Sequence, residues 1–312
     1  MIPQILGLGE IFIETVLRVP RLPELGERAV STNQTKFPSG ITANYVTAVS
    51  RLGTTVGFVG AVGDDPEGQY LIRSLKDKSI DTKLTLAKKG KQTPINYVVV
   101  DENDQRIVIE SPHVTTTKLD ARDIKAEYVS KSKLLYTTAI HPQLSLRAAK
   151  IAKGNGATVA FDLGKQVAHL DWENLKELVK LTDVLFPLKR VAMELTQTSS
   201  IEDATDFLLR KGPKLIVTAL GEKGCLVATE KSKKVVPPFK VGAGDSAGVG
   251  EAFNGGFTIA HMKGLTPEGA AIFANSVAAL KRTKSGEKAD MPTLKQVKEF
   301  LETQNKSNAQ LP

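Results

Sequence analysis

The chain has 312 residues, of which 41% are hydrophobic and 24% charged, and it contains one cysteine. This length and composition are typical of one large α/β domain, and the lack of an apolar run of about 18 residues argues against a membrane span. A single cysteine excludes an intrachain disulfide and a zinc site built from several cysteines. Because no basic segment precedes the first apolar residues, we expect a cytoplasmic protein without a secretory signal.

The formal net charge is +8. Lysines and arginines are scattered along the chain, and no basic run carries interleaved aromatic residues. This pattern argues against nucleic-acid binding and favours a positive field that attracts an anionic nucleotide.

The N-terminal part predicts a strand at Ile5–Leu8, which residues 11–13 continue, and an excursion over residues 18–38. A helix is expected from Asn44 to Leu52, and another from Pro66 to Lys78 with Asp65 as its N-cap. Residues 95–100 and 106–110 are rich in β-branched side chains and predict a hairpin.

From residue 134 onward, apolar strand candidates alternate with helical segments. The predicted strands cover residues 134–137, 158–162, 184–186 and 215–219, and the predicted helices lie near 145–155, 172–181 and 201–211. Such alternation indicates a parallel sheet with helices on both faces. Further helices are predicted to begin at Thr266-Pro267 and at Thr293, where Gln296 completes a capping box.

The turn Gly242-Ala243-Gly244-Asp245 is the strongest functional signal. Two glycines allow backbone N–H groups to approach a ligand, and a helix starting at this turn would direct its free N–H groups at a bound phosphate. Asp245 would then accept a proton from an attacking hydroxyl, or it serves only as a helix N-cap.

Several segments occur in an order that resembles the ribokinase-like (PfkB) carbohydrate kinase family, from about Ile5 to about Leu301. They are Ser39-Gly40-Ile41-Thr42-Ala43-Asn44, residues 60–68, Thr218 to Gly224, the turn at 242–245, and Asn275. The resemblance implies a three-layer α/β sandwich with a mostly parallel central sheet and a small β-sheet lid. It implies one domain over residues 1–304 with lid segments at about 14–38 and 91–110, followed by a frayed tail at 305–312.

The resemblance also implies transfer of the γ-phosphoryl group of ATP, with Mg²⁺, to a substrate hydroxyl. Asp245 matches the family's catalytic base, and Gly242, Ala243 and Gly244 match its anion hole. Thr218, Gly221 and Gly224 match the nucleotide loop, and Asn275 matches a residue near the adenine.

On the substrate side, Ser39, Gly40 and Asn44 match the sugar-binding turn, although Asn44 has the alternative role of an ordinary helix cap. Glu14 falls where many members place an aspartate that grips sugar hydroxyls, or it is a solvated lid carboxylate. Arg106 is a further candidate for contact with a free sugar.

Two segments depart from the family pattern. Leu188-Lys189-Arg190-Val191 replaces an Asn-x-x-Glu segment that organises Mg²⁺, and Phe239-Lys240-Val241 stands where Asp-Thr-Thr is common. We hypothesise that Lys189 and Lys240 contact phosphate oxygens, the alternative being that both are surface lysines. No protein metal ligand is predicted, because Mg²⁺ is carried by the nucleotide phosphates.

The acceptor is left open. Asp162, in the stretch Asp162-Leu163-Gly164-Lys165-Gln166, is a candidate substrate ligand in a pattern closer to members that phosphorylate nucleosides. The leading function is a kinase for a sugar or sugar-containing metabolite, and the alternatives are a nucleoside kinase and a non-catalytic nucleotide- or ligand-binding protein. A small sheet has exposed edges, and we therefore expect a homodimer formed through the lid.

Overall fold

The computed structural model describes residues 2–111, 119–242, 244, 246–283 and 290–304. The predictions for Ala243, Asp245 and the tail at 305–312 lie outside these residues.

The strands of the described part are, in chain order, β1 (Ile5–Leu8), β2 (Phe12–Arg18), β3 (Asn33–Ser39), β4 (Val56–Gly63), β5 (Asp81–Lys88), β6 (Ile95–Val100), β7 (Arg106–Ile109), β8 (Leu134–Thr137), β9 (Thr158–Leu163), β10 (Val184–Pro187), β11 (Leu215–Ala219), β12 (Cys225–Ala228) and β13 (Lys233–Val236). The α-helices of the same part are α1 (Ile41–Arg51), α2 (Pro66–Asp77), α3 (Ala126–Ser130), α4 (Pro142–Gly154), α5 (Trp172–Leu181), α6 (Lys189–Thr196), α7 (Ile201–Leu209), α8 (Val249–Met262), α9 (Pro267–Arg282) and α10 (Leu294–Thr303).

Nine strands form the central sheet in the order β13-β12-β11-β10-β9-β8-β1-β4-β5. All neighbours from β5 to β11 are parallel, whereas β12 and β13 add an antiparallel edge. The strand–helix alternation produces this topology, because parallel neighbours need crossover helices. The predicted α/β class with a mostly parallel sheet is confirmed.

The helices lie on both faces of the sheet and complete three layers. One apolar core joins the sheet to α1, α2, α8, α9 and α10, and the other joins it to α3, α4, α5, α6 and α7. Within β1, Ile5 belongs to the first core and Leu6 and Leu8 to the second, as alternation along a strand buried on both faces requires.

A second, four-stranded sheet has the order β3-β2-β6-β7. The hairpin formed by β6 and β7 is confirmed, and the N–H of Asp101 donates to the carbonyl of Gln105 at its turn (3.0 Å). Residues 11–13 do not continue β1 as expected, because the chain leaves the central sheet at Gly9 and β2 starts the second sheet at Phe12. That residues 1–304 form one domain in which this sheet is an inserted lid stays a prediction.

Two helices begin at positions that differ from the prediction. Helix α1 begins at Ile41 with Gly40 as N-cap, so Asn44 lies inside the helix and is not its cap. Helix α8 begins at Val249 with Gly248 as N-cap, and not directly after residue 245. Gly248 has φ 74°, a left-handed conformation that suits glycine and turns the chain into the helix.

Asp65 caps α2 as predicted and also fastens a distant segment. Its carboxylate accepts from the N–H of Gly68 (2.8 Å), the N–H of Thr93 (2.6 Å) and the hydroxyl of Thr93 (2.5 Å). Thr93 lies two residues before β6, so this carboxylate links the chain entering β6 to the start of α2.

Replacing Asp65 with alanine should therefore lower the free energy of unfolding by more than the loss of a helix cap alone would. Asp171 is the matched control. Its carboxylate caps α5 by accepting from the backbone N–H and the side-chain amide of Asn174, and both hydrogen bonds stay within the first turn of that helix. We expect Asp65→Ala to lower the free energy of unfolding by about 1–2 kcal/mol more than Asp171→Ala, since the Thr93 donors lose their acceptor. Urea unfolding of both variants measures the difference, and equal losses would show that the Thr93 contacts contribute nothing.

Candidate active site

The candidate site lies at the carboxyl edge of the central sheet. The chain leaves β1 through Gly9 and Glu10, leaves β8 through Thr138, and ends β9 at Asp162 and Leu163. In open parallel sheets this edge is where ligands bind, because strand ends and helix N-termini meet there.

Asp162 is held from two sides. The Tyr136 hydroxyl donates to its Oδ2 (2.6 Å), and the Asn254 amide donates to the same atom (2.8 Å). Burial and the negative charge of Glu10 raise the pKa of Asp162 to about 6, although both hydrogen bonds favour the ionised form. Because Asn254 belongs to α8, this carboxylate links the helix to the sheet.

Glu10 is the second carboxylate at this edge, and sequence reasoning did not identify it. Its Oε1 accepts from the N–H of Ile41 and its Oε2 from the hydroxyl of Thr138, both at 2.9 Å. Burial raises the pKa of Glu10 above its ordinary value, and the Thr138 hydrogen bond opposes this. Glu10 thereby joins the end of β1 to the N-terminus of α1.

Glu251 is the third carboxylate and stands in the first turn of α8. Burial and the charges of Asp162 and Glu10 together raise its pKa to about 7, although its own backbone N–H and Lys281 act in the opposite direction. Glu251 precedes Asn254 by three residues, so both lie on the helix face that meets Asp162. The helix dipole favours an ionised Glu251 by only about 0.3–1 kcal/mol, and burial outweighs it.

The N-terminus of α8 is open to an anion. Its N-cap is Gly248, no side chain among the described residues caps the helix, and a Cβ placed on Gly250 would meet no atom within 4 Å. A helix N-terminus with uncapped N–H groups and free space before it suits a phosphate group.

The predicted anion hole at 242–244 does not open this helix. Gly242 and Gly244 precede Val249, and a Cβ on Gly244 would clash with the carbonyl oxygen of Arg282. The pattern Gly-x-Gly-acid occurs twice, at 242–245 and at 248–251. Sequence reasoning considered only the first copy, and the second copy was the signal that could have identified Glu251.

The predicted nucleotide loop forms a tight turn after β11. Gly221 and Gly224 have φ 63° and 86°, and the N–H of Leu220 donates to the carbonyl of Gly224 (2.7 Å). The hydroxyl of Thr218 is buried and has no hydrogen-bond partner within the described part of the chain. A hydroxyl without a partner next to a glycine turn fits a binding site for a polar ligand.

Asn275 is buried in α9, and its amide donates to the carbonyl of Pro237 (2.9 Å). It therefore holds the chain that follows β13, and its predicted position near an adenine is untested. Lys189, the first residue of α6, and Lys240 are both exposed, and their contacts with phosphate also stay predictions.

The predicted substrate residues fall into two groups. Asn44 lies beside the N-terminus of α8, since its Nδ2 is 3.8 Å from the place of a Cβ on Gly248. Gly40, at φ 125°, lies against the Glu10 carbonyl oxygen, which would be 2.7 Å from a Cβ.

In the second sheet, the Ser39 hydroxyl donates to Oε2 of Glu14 (3.3 Å). Glu14 pairs with Asn96, whereas Arg106 pairs with Val100, four residues further along β6. This register separates Arg106 from Glu14 by about 13 Å along the strands, so Arg106 does not join the polar group around Glu14.

Within the described ranges, no group of three or more histidine, cysteine, aspartate or glutamate side chains is arranged to hold a metal ion. None of the helices in those ranges is both long and apolar enough to cross a membrane.

The comparisons with known proteins agree with this architecture. The chain is 28% identical to an ATP-dependent ribose-1-phosphate kinase of Halopiger xanaduensis, over 96% of this chain and 98% of that protein. It is 26% identical to a ribokinase of Haemophilus influenzae, over 95% and 97% of the two chains. The crystal structure of a ribokinase from Thermotoga maritima superposes with a TM-score of 0.86 at 27% identity, covering 96% and 99%. Since the model of the pfkB family carbohydrate kinases matches residues 3–294, the chain belongs to that family.

Proposed function

We propose that the protein transfers the γ-phosphoryl group of ATP to a hydroxyl group of a sugar or a sugar-containing metabolite, with Glu251 as the general base. The observation that carries the proposal is the uncapped N-terminus of α8, with an acidic side chain in its first turn beside Asp162 and Glu10. The family and the sugar kinases among the relatives support the reaction class.

The nucleotide site is proposed from features that fit a phosphate chain. The buried Thr218 hydroxyl and the turn at 221–224 would hold the nucleotide, and the free N–H groups of α8 would hold the transferring phosphoryl group. Asn275 supports the wall of this site, and Lys189 and Lys240 would approach the phosphates from the surface. When bound, ATP with Mg²⁺ supplies the phosphoryl group and neutralises part of its charge.

Glu251 would orient the acceptor hydroxyl and take its proton as the hydroxyl oxygen bonds to phosphorus and the bond to the ADP oxygen breaks. A carboxylate with a pKa of about 7 is suited to this role at neutral pH. Asn44 lies at the same helix end and would position the acceptor. Asp162 would hold α8 in place and contact a second acceptor hydroxyl.

The second sheet would cover the acceptor. Glu14, Ser39 and Asn96 place polar groups side by side on it, which favours a sugar over an apolar ligand. A nucleoside acceptor is the alternative within the same reaction, and a screen of ATP consumption across sugars, sugar phosphates and nucleosides separates the two. A non-catalytic binding protein is the third reading, and absence of turnover with every acceptor would favour it.

Two amide variants identify the general base. Glu251→Gln keeps the size of the side chain but cannot accept the proton, and we expect kcat to fall by about 10²–10⁴. Asp245, the alternative base, should tolerate the change to asparagine with a much smaller loss. Steady-state kinetics of both variants decide between them. If Asp245→Asn abolishes turnover while Glu251→Gln stays active, the sequence prediction holds and the assignment of Glu251 is wrong.

The pH profile of the wild-type enzyme provides a second test. A base must be deprotonated to act, and the pKa of Glu251 is raised to about 7. We therefore expect kcat/KM to rise between about pH 6 and 8, with half of the maximum near pH 7, and to level off above about pH 8. The residual activity of Glu251→Gln should lack this rise with pH. An equal rise in the variant would show that titration of the nucleotide, and not of Glu251, causes it.

We further propose a homodimer formed through the second sheet. Its outer strand β7 exposes Ile107, Val108 and Ile109 at 46%, 48% and 59% of their surface, and an apolar edge strand invites pairing with a second copy.

Light scattering at micromolar concentration should report twice the chain mass of 33.6 kDa. Ile109→Lys should give the monomer, whereas Val235→Lys, which alters an equally exposed valine on β13, should stay dimeric. A wild-type monomer would contradict the proposal.

A further inference from the structure

The side-chain amide of Gln166 is fixed at the carboxyl edge of the central sheet. Gln166 stands in a short 3₁₀ turn, Lys165–Val167, that follows β9. Its Nε2 donates to the carbonyl of Thr138 (3.0 Å) and to the carbonyl of Asp162 (2.9 Å). An amide nitrogen carries two hydrogens, and both are used here. Because an amide oxygen would repel these two carbonyl oxygens, the contacts also fix the direction of Oε1.

The amide oxygen of Gln166 has no donor within the chain that the structure describes. Oε1 is buried, and no residue of the described part donates a hydrogen bond to it. A buried carbonyl oxygen without a donor is unfavourable, and in native proteins a ligand or an ordered water commonly supplies the donor. A donor group from a bound molecule would therefore satisfy Oε1.

A second acceptor oxygen lies at the same place. Tyr136 and Asn254 both donate to Oδ2 of Asp162, and none of the described residues donates to its Oδ1. A Cβ on Gly164 would lie 2.5 Å from Oε1 of Gln166 and 3.1 Å from Oδ1 of Asp162. Both oxygens therefore converge on one point beside Gly164.

Gly164 leaves room at this point. Its backbone is extended, with φ −104° and ψ −167°, a conformation that any residue adopts. The backbone therefore does not require glycine here. What glycine contributes is the lack of a side chain in front of the two acceptor oxygens.

The electrostatics at this point select the kind of group that binds. Oδ1 belongs to a carboxylate, and the negative charge of Glu10 also acts on Asp162. A carboxylate or phosphate group would be repelled by these charges and would bring two further acceptors. A hydroxyl group is neutral and donates, and neighbouring hydroxyl groups of a sugar would donate to both oxygens.

We propose that Gln166 is a specificity-determining residue: its Oε1 and Oδ1 of Asp162 accept hydrogen bonds from hydroxyl groups of the acceptor, so that a neutral polyol occupies this place. The proposal rests on the proposed function, in which Asp162 contacts a second acceptor hydroxyl. It adds Gln166 to that contact and restricts the substrate class to acceptors that present uncharged hydroxyl groups to the end of β9.

Gly164→Ala tests the proposal, because its methyl group would occupy the point on which the two oxygens converge. The probes are D-ribose, D-fructose and D-glucose, each titrated by calorimetry with Mg²⁺ and a non-hydrolysable ATP analogue present. We expect the wild type to bind at least one of these sugars and Gly164→Ala to bind it about tenfold more weakly, with unchanged affinity for the ATP analogue. Gly154→Ala is the matched control and should bind as the wild type does, since a Cβ there meets no atom within 4 Å.

Gln166→Leu tests the same contact from the other side, because it removes Oε1 and keeps the approximate size of the side chain. It should also weaken sugar binding about tenfold. The double variant Gly164→Ala/Gln166→Leu should bind no more weakly than either single variant, because both changes remove one contact. Additive losses would refute a shared subsite. If Gly164→Ala does not fold, wild-type sugar affinity in Gln166→Leu refutes the proposal on its own.

The outcomes separate this inference from the proposed function. If Gly164→Ala weakens sugar binding but no acceptor stimulates ATP consumption, the proposed phosphoryl transfer fails and the subsite stands. If a sugar stimulates ATP consumption but both single variants keep wild-type affinity, only an ordered water meets the two oxygens and the subsite is refuted. Tighter binding of D-gluconate than of all three neutral sugars, or no binding of any of the three, would also overturn it.

Discussion

The buried carboxylate of Glu10 and the half-buried carboxylates of Asp162 and Glu251 share one electrostatic environment at the carboxyl edge of the central sheet, and the active-site architecture depends on how their mutual repulsion is offset. The Glu10 carboxylate is stabilised by hydrogen bonds from the backbone N–H of Ile41, at the start of α1, and from the Thr138 hydroxyl. The Asp162 carboxylate is stabilised by hydrogen bonds from the Tyr136 hydroxyl and the Asn254 amide. Each balancing contact joins two elements of the fold, so the same bonds that stabilise the charges also fix α1 and α8 against the sheet.

The Glu251 carboxylate accepts a hydrogen bond from its own backbone N–H, and its pKa is raised to about 7. That combination leaves it available for proton transfer, whereas Glu10 and Asp162 are committed to structural hydrogen bonds. Its place in the first turn of α8, at the helix end proposed to hold the phosphate, supports the proposed role of Glu251 as the proton acceptor.

Periodicity in the sequence predicted much of the fold, because parallel strands buried on both faces are continuous apolar runs separated by amphipathic helices. The caps at Asp65 and Thr293 were also predictable from local chemistry. The edge strands β5 and β13 were not predicted. Asp81–Lys88 alternates apolar with polar residues, and Lys233–Val236 begins with two lysines, so their pairing is decided by the strand beside them.

The candidate site was only partly predictable. Motif spacing identified Asn44, which lies near the start of α8, and Asp162, which bonds to Asn254 of that helix, while Gly40 lies against the backbone of Glu10. The start of the helix was misplaced, because two Gly-x-Gly-acid segments compete and the left-handed turn at Gly248 decides between them. Glu10 and Tyr136 carry no local pattern, and only the pairing of β1 with β8 brings residues so distant in the chain together.

In the proposed mechanism, the N-terminus of α8 holds the transferring phosphate next to Glu251. A crystal structure with Mg²⁺, a non-hydrolysable ATP analogue and an accepted sugar tests it most directly. We expect the terminal phosphate within hydrogen-bond distance of the N–H groups of Gly250 and Glu251, with the acceptor hydroxyl at the Glu251 carboxylate. A terminal phosphate bound over residues 242–245, with the start of α8 in contact with neither ligand, would contradict it.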